Sequence, residues 1–151
     1  MLSRRSFLVS AAAVVVARRQ LFAGSPAPAS VITVYKDPNC GCCVKWIEHM
    51  NKSGFVVTVK DVSNMDEIKQ TMRVPAELQS CHTGIVDKYV IEGHVPADVV
   101  KKFLAEKPAA LGLAVGGMPM GSPGMEGGGR VDHYNVMVFD RTGKSRVYAK
   151  R

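Results

Sequence analysis

Val31-Ile32-Thr33-Val34-Tyr35 is an unbroken run of β-branched and aromatic residues, which predicts a largely buried first strand ending at Asp37-Pro38-Asn39. Beyond it, Val44, Ile47 and Met50 recur at three-residue intervals within residues 43–52. That spacing predicts a helix with these three on its buried face and Gly54 as its stop. Residues 40–43 then occupy the helix N-terminus. Residues 55–59 predict a second strand, and residues 66–72 a short helix that ends before Pro75, because the residue preceding a proline is pushed out of the helical region.

After Cys81-His82-Thr83-Gly84, two short apolar runs, Ile85-Val86 and Tyr89-Val90-Ile91, flank Asp87-Lys88 and predict a β-hairpin. Pro96, at a first helical position, opens an amphipathic helix. Val99, Val100, Phe103 and Leu104 face inward, and Lys101, Lys102 and Glu106 outward. The succession βαβαββα is the order of a thioredoxin-like α/β domain with its cysteines after the first strand. Residues 112–129 are dominated by Gly, Met and Pro and are expected to form an irregular loop. Residues 135–139 and 145–149, around Asp140-Arg141-Thr142-Gly143, predict a C-terminal β-hairpin.

The N-terminus has a different pattern. Arg4 and Arg5 precede an apolar run over residues 7–17, too short for the ~20 residues of a bilayer span, and Ser3-Arg4-Arg5-Ser6-Phe7-Leu8 resembles a twin-arginine export signal. Small residues at Ala23, Ala27 and Ala29 offer cleavage points. Two regions follow: a signal peptide and leader over residues 1–29, and a single domain over residues 30–151 in the periplasm, with no stable membrane insertion after cleavage. Loss of residues 1–29 removes four arginines and no acids, so a formal charge of +7 becomes +3. The basic balance is therefore mostly a targeting feature. Without a Lys/Arg stripe or interleaved aromatics, nothing argues for nucleic acid as a partner.

Four cysteines in a small exported protein would ordinarily suggest two disulfides. In Cys40-Gly41-Cys42-Cys43 the pair Cys40/Cys43 has C-x-x-C spacing, which at a helix start admits a disulfide with Cα atoms roughly 5.5 Å apart. Cys42 and Cys43 are adjacent, about 3.8 Å between Cα atoms, too close for an unstrained bridge. A dithiol enzyme has no use for that third thiol. Amide groups and the macrodipole at a helix N-terminus favour thiolates, and crowded thiolates call for bridging cations. Soft sulfur selects Cu(I), and if Cys81 closes the site, four thiolates balance four Cu(I) charges. Zinc in a tetrahedral four-cysteine site is the rival ion, and one disulfide with two inert thiols is the structural alternative.

Met118, Met120 and Met125 lie in a Gly/Pro-rich stretch that has too little apolar content for a core. As soft thioethers they are candidate auxiliary copper ligands, or else gap fillers against the domain surface. Met50 and Met72, at helical spacing, are expected in the core. His94, between hairpin and helix, is the better auxiliary histidine, because strand alternation sends Cys81 and His82 to opposite faces. His49 and His133 are expected to be surface or hydrogen-bonding residues.

Four linked motifs carry a resemblance: Cys40-Gly41-Cys42-Cys43, Ser80-Cys81-His82-Thr83, Ile91-Glu92-Gly93-His94-Val95-Pro96-Ala97, and Gly112-Leu113-Ala114-Val115 running on to Gly121-Ser122-Pro123-Gly124-Met125-Glu126. Over almost the whole mature chain they resemble the CopG-type copper-resistance family, small periplasmic proteins long catalogued as a domain of unknown function. The resemblance implies a thioredoxin-like domain holding several Cu(I) ions through Cys40, Cys42, Cys43 and Cys81. It also implies a part in copper detoxification or in Cu(I)/Cu(II) interconversion. Gly116 and Gly84 depart from the Pro and Ala common in the family. The expected function is thus envelope copper binding in copper resistance or homeostasis, with copper ions and envelope copper-transfer proteins as partners. Copper oxidoreductase activity is a joined reading, and thiol-disulfide exchange by Cys40/Cys43 is the alternative.

Overall fold

The computed structural model describes residues 29–151. The export signal expected over residues 1–29 lies, but for its last residue, outside them. Among the described residues no helix is long and apolar enough to cross a membrane.

Strand β1 (Val31–Lys36) buries alternate residues Ile32, Val34 and Lys36, as the period of a strand requires. Helix α1 (Gly41–Lys52) carries the chain over to β2 (Val56–Asp61), parallel to β1. Next comes α2 (Met65–Thr71), whose N-cap Asn64 accepts the Glu67 amide at 3.3 Å, and a single 3-10 turn, Ala76–Leu78. The expected hairpin is β3 (His82–Val86) with β4 (Tyr89–Gly93), turned at Asp87-Lys88 with Asp87 left-handed at φ 52°. Helix α3 (Ala97–Glu106) leads to β5 (Gly112–Val115), parallel to β4, and β6 (Asn135–Phe139) and β7 (Ser145–Lys150) complete the expected C-terminal hairpin. The seven strands form one sheet in the order β2-β1-β3-β4-β5-β6-β7.

The α/β class and the order of the first seven elements are as the sequence predicts. Two expectations are corrected. The buried face of α1 is Cys43, Trp46 and Met50, with Ile47 partly buried and Val44 44% exposed, because the indole of Trp46 is drawn in to donate to the Val95 carbonyl at 2.9 Å. Residues 112–115 are a strand, not the start of a loop. Gly and Ala are weak strand formers, and β5 exists because β4 and β6 pair with both its edges. Gly112 is what lets it in, since a Cβ there would stand 2.0 Å from the Val90 carbonyl oxygen.

The sheet buries both faces. On one, Trp46 and Met50 of α1 and Val99, Val100 and Phe103 of α3 pack against Ile32, Val34, Ile91, Leu113, Val136 and Val138. On the other, Val74 and Leu78 cover Val90, Leu111, Ala114 and Phe139, with Met72 partly buried against them. Met50 and Met72 thus lie where the sequence puts them. His49, one turn before the end of α1, accepts the amide of Ala97 on Nε2 at 3.1 Å and so caps α3 from a neighbouring helix, while His133 is exposed.

Burial holds the His49 pKa below its ordinary value, although the Glu126 and Asp98 carboxylates pull it upward. The neutral imidazole is the form that caps. The stability it adds is therefore present above the unfolded value of about 6.5 and is lost as pH falls through the folded pKa. Urea unfolding of metal-free wild type and His49→Gln between pH 7.5 and 5 checks this. Wild type should lose stability relative to the variant below pH 6.5, by about 1 kcal/mol if the cap is lost entirely. Parallel curves would contradict the cap.

Candidate metal centre

The site forms where β1 ends and α1 begins. Buried Lys36 donates from Nζ to the carbonyls of Asp37 (3.0 Å) and Pro38 (3.3 Å) and pairs with Asp61 at 2.8 Å, while Asp37 Oδ1 accepts the Asn39 amide at 2.7 Å. These bonds shape the turn that delivers Cys40 as the N-cap of α1. Among the described residues no side chain caps the helix, and its first turn holds no acidic residue, so its amides and dipole face the cysteines.

Cys40 and Cys43 are joined in a disulfide with Cα atoms 5.4 Å apart, the separation the C-x-x-C spacing predicts, while Cys42 and Cys81 are free. Cys42 Sγ lies 3.6 Å from both Cys40 Sγ and Cys81 Sγ, and Cys43 Sγ lies 3.5 Å from Cys81 Sγ. All four sulfurs fall within 4.8 Å of one another. In this oxidised state only Cys42 and Cys81 are competent as thiolate ligands. A four-thiolate site requires two-electron reduction of the Cys40–Cys43 bond.

Cys81 reaches the cluster from a bend just before β3. The bend crosses the end of β4 at Gly93, where a Cβ would stand 2.6 Å from Ser80 Cβ and 2.5 Å from the Val115 carbonyl oxygen. Gly93 has φ 70°, a left-handed turn that favours glycine. Just after it, His94 brings Nε2 to 3.1 Å from Cys81 Sγ, while Nδ1 donates to the Pro123 carbonyl at 2.8 Å. That donation fixes the tautomer and leaves the Nε2 lone pair facing the sulfur.

His82 corrects the alternation argument. Because Cys81 sits in the bend and not in the strand, both residues turn to the same place, and His82 Nδ1 is 3.4 Å from Cys81 Sγ. The ring is fully buried, 4.5 Å from Trp46 and 5.0 Å from His94 between centroids, and its Nε2 has no hydrogen-bond partner among the described residues. Cys81, His82 and His94 thus form a second ligand group that shares Cys81 with the sulfur cluster. The sequence pointed to His94 as the auxiliary ligand, and only the adjacency of His82 to Cys81 hinted at the third member.

Burial disfavours charge on the groups around Cys81. Burial, with the adjoining Cys42, pushes the Cys81 thiol up to about 12. Burial likewise lowers the pKa of His94, and that of His82 well below its ordinary value, with His94 and Lys69 adding to the latter. A half-buried thiol, a buried imidazole nitrogen unpaired among the described residues and three further sulfurs, once the disulfide is reduced, are the donor set of a soft metal ion.

The Gly/Met/Pro segment closes over the cluster. Gly124 (φ 89°) packs against the first turn of α1 so tightly that a Cβ would meet the Cys42 carbonyl oxygen and the Trp46 amide at 2.8 Å. Ser80 Oγ donates to the Gly117 carbonyl. Met118, next to Gly117, is 52% exposed, Met125, next to Gly124, is half-buried, and half-buried Met120 is tied by its backbone to Asp132. The stretch from 116 onward is thus irregular, as expected, yet held by defined hydrogen bonds.

Fold and site together define a small mixed α/β protein with a cysteine-histidine cluster at a helix N-terminus that could hold a metal ion. A family described as "Protein of unknown function, DUF411" matches residues 78–125, the span from the 3-10 turn through the closing loop. Two solved structures of the copper resistance protein CopG are similar over most of their length. Form 2 is 45% identical, with a TM-score of 0.78 over 82% of this chain and 98% of that one. Form 1 is also 45% identical, with a TM-score of 0.76 over 80% and 96%. No curated protein matches the chain. The chain belongs to the CopG copper-resistance family.

Thiol labelling tests the metal-free centre. Without reductant, two cysteines, Cys42 and Cys81, should react with iodoacetamide, and after reduction all four. Labelling of Cys81 should still be rising, by nearly tenfold, between about pH 10 and 11, following its thiolate fraction. A plateau at neutral pH would show that the thiol is not held protonated.

Proposed function

We propose that the protein holds Cu(I) as a multinuclear cluster on the thiolates of Cys40, Cys42, Cys43 and Cys81, serving copper resistance or homeostasis in the cell envelope after export. The observation that supports this most is the position of Cys42 and Cys81. A dithiol enzyme needs Cys40 and Cys43 alone, yet here a third and a fourth sulfur stand within 3.6 Å of that pair. Four thiolates balance four Cu(I) ions, and the α1 N-terminus offers partial positive charge to any excess of sulfur. The CopG name of the two similar structures agrees with copper as the cargo. His94 is the auxiliary ligand with the strongest structural support. Met118 and Met125 are candidates for capping ions at the rim, and Met120 is the weakest of the three.

A second reading rests on the disulfide itself. Two thiolates can each give one electron to a Cu(II) ion, so that two Cu(II) become two Cu(I) while one S–S bond forms. The reverse consumes two Cu(I) electrons and frees two thiolates. Cys43 Sγ at 3.5 Å from Cys81 Sγ also permits thiol-disulfide exchange within the site. Copper oxidoreduction would then accompany binding in one centre.

Anaerobic reconstitution of the reduced protein with Cu(I), with metal and thiols counted on the same sample, tests the cluster. Several equivalents per chain should bind, with proton release because Cys81 enters as a thiol. Saturation at one equivalent would sink the cluster and favour a zinc-like mononuclear site. Cys42→Ser should lose copper equivalents while keeping Cys40/Cys43 disulfide chemistry, and unchanged stoichiometry in that variant would overturn the cluster.

A further inference from the structure

Glu92 is fully buried on β4, two residues before His94, and each of its carboxylate oxygens is occupied. Oε1 accepts Lys69 Nζ at 2.5 Å and the backbone amide of Ser80 at 2.7 Å, while Oε2 accepts Thr83 Oγ1 at 2.6 Å. Lys69, from α2, is itself 4% exposed and also donates to Thr83 Oγ1 at 3.1 Å. Burying this ion pair gains little stability of its own, because desolvation of two charges offsets their attraction, and well-packed apolar residues can often replace such pairs. Its geometry supplies something hydrocarbon cannot.

Ser80 and Thr83 bracket the two residues that bring ligand atoms to the centre, Cys81 and His82. Ser80 precedes β3, so its amide has no ladder partner, and Glu92 is its acceptor. The carboxylate therefore grips the segment at both ends. Along β4, Glu92 holds Ser80 and Thr83, Gly93 lets Ser80 pass close, and His94 meets Cys81 at 3.1 Å. Lys69 cancels the carboxylate charge, so the acceptor adds no net negative charge beside a site that gathers thiolates.

We infer that Glu92 is a positioning residue of the metal centre, holding the Ser80–Thr83 segment so that Cys81 joins the other three sulfurs, with Lys69 as its neutralising partner. The inference rests on the reading that these sulfurs bind Cu(I), and it adds a residue that touches no metal. Ligand sets must be held to within about 0.5 Å of their productive geometry, and loss of such outer contacts typically costs 10–100-fold in metal affinity.

The test compares two neutral versions of the pair in the mature chain. Lys69→Met/Glu92→Gln keeps a carbonyl acceptor for the Ser80 amide, whereas Lys69→Met/Glu92→Leu removes it. Both lack the ion pair, so a difference between them reports the acceptor and not the charge. Hydrogen exchange on the metal-free proteins should find the Ser80 amide protected in wild type and in the Gln version, and exchanging at least about tenfold faster in the Leu version. Competition titration with Cu(I) should find the Gln version near wild type and the Leu version weaker by about tenfold or more. Equal Cu(I) affinity in the two folded versions overturns the inference. If the Leu version does not fold, the wild-type amide decides, since an unprotected Ser80 amide overturns the inference and a protected one retained in the Gln version supports it. Failure of wild type to bind Cu(I) would sink the proposed function, while the metal-free exchange data would still judge the grip of Glu92 on Ser80.

Discussion

The metal-binding end of this protein depends on one close crossing, that of the Ser80–Cys81 bend over the end of β4. The two backbones approach to a distance that no side chain at position 93 would allow, since a Cβ there would collide with both Ser80 and Val115. The crossing puts Cys81 over the first turn of α1, some forty residues earlier in the chain, and makes one centre from segments that share no local structure. Glu92 and Lys69 pin the crossing from beneath, and Ser80 Oγ ties it to the loop at Gly117. Without that approach, Cys40, Cys42 and Cys43 would be a motif at a helix start with an open side.

Charge is managed by the same arrangement. Burial disfavours charge on the groups nearest the sulfurs, lowering the pKa of His82 and His94 and raising that of the Cys81 thiol, while Lys69 and Glu92 pair with each other. Positive potential comes from the uncapped amides of α1, with Lys36 bound to the carbonyls of the turn before it. Such a centre accommodates thiolates only together with the cations that neutralise them, which couples binding of a soft metal ion to release of protons. In the oxidised state the disulfide removes two of the four negative charges by covalent means.

The closing loop contributes by shape and carbonyl groups. Pro123 orients His94, and Gly124 lies flat on the first turn of α1 because any side chain would strike the Cys42 carbonyl and the Trp46 amide. Trp46 then links the site to the core, its ring tilted against that of His82 and hydrogen-bonded to Val95, so that ligand geometry and packing of α1 are one problem. The family match over residues 78–125 spans the crossing, β4 and this loop.

Local pattern was enough for most of the elements. A run of β-branched and aromatic residues marked β1, turn residues marked both hairpins, and Pro96 marked the start of α3, because strand and helix propensities and backbone constraints act over a few neighbouring residues. The C-x-x-C geometry was legible for the same reason, and the third cysteine argued for a metal before any fold was known. The contacts between distant segments were not legible. β5 is a strand because two neighbours pair with it, the face of α1 is set by a bond from Trp46 to Val95, and His82 joins His94 because Cys81 lies in a bend, where strand alternation does not apply. The sequence by itself determined which chemistry the chain can carry, since sulfur and imidazole donors are a matter of composition and spacing. Which of them meet, and in which protonation state, was decided by tertiary structure, because desolvation and ångström-scale approach exist only once remote segments are packed together.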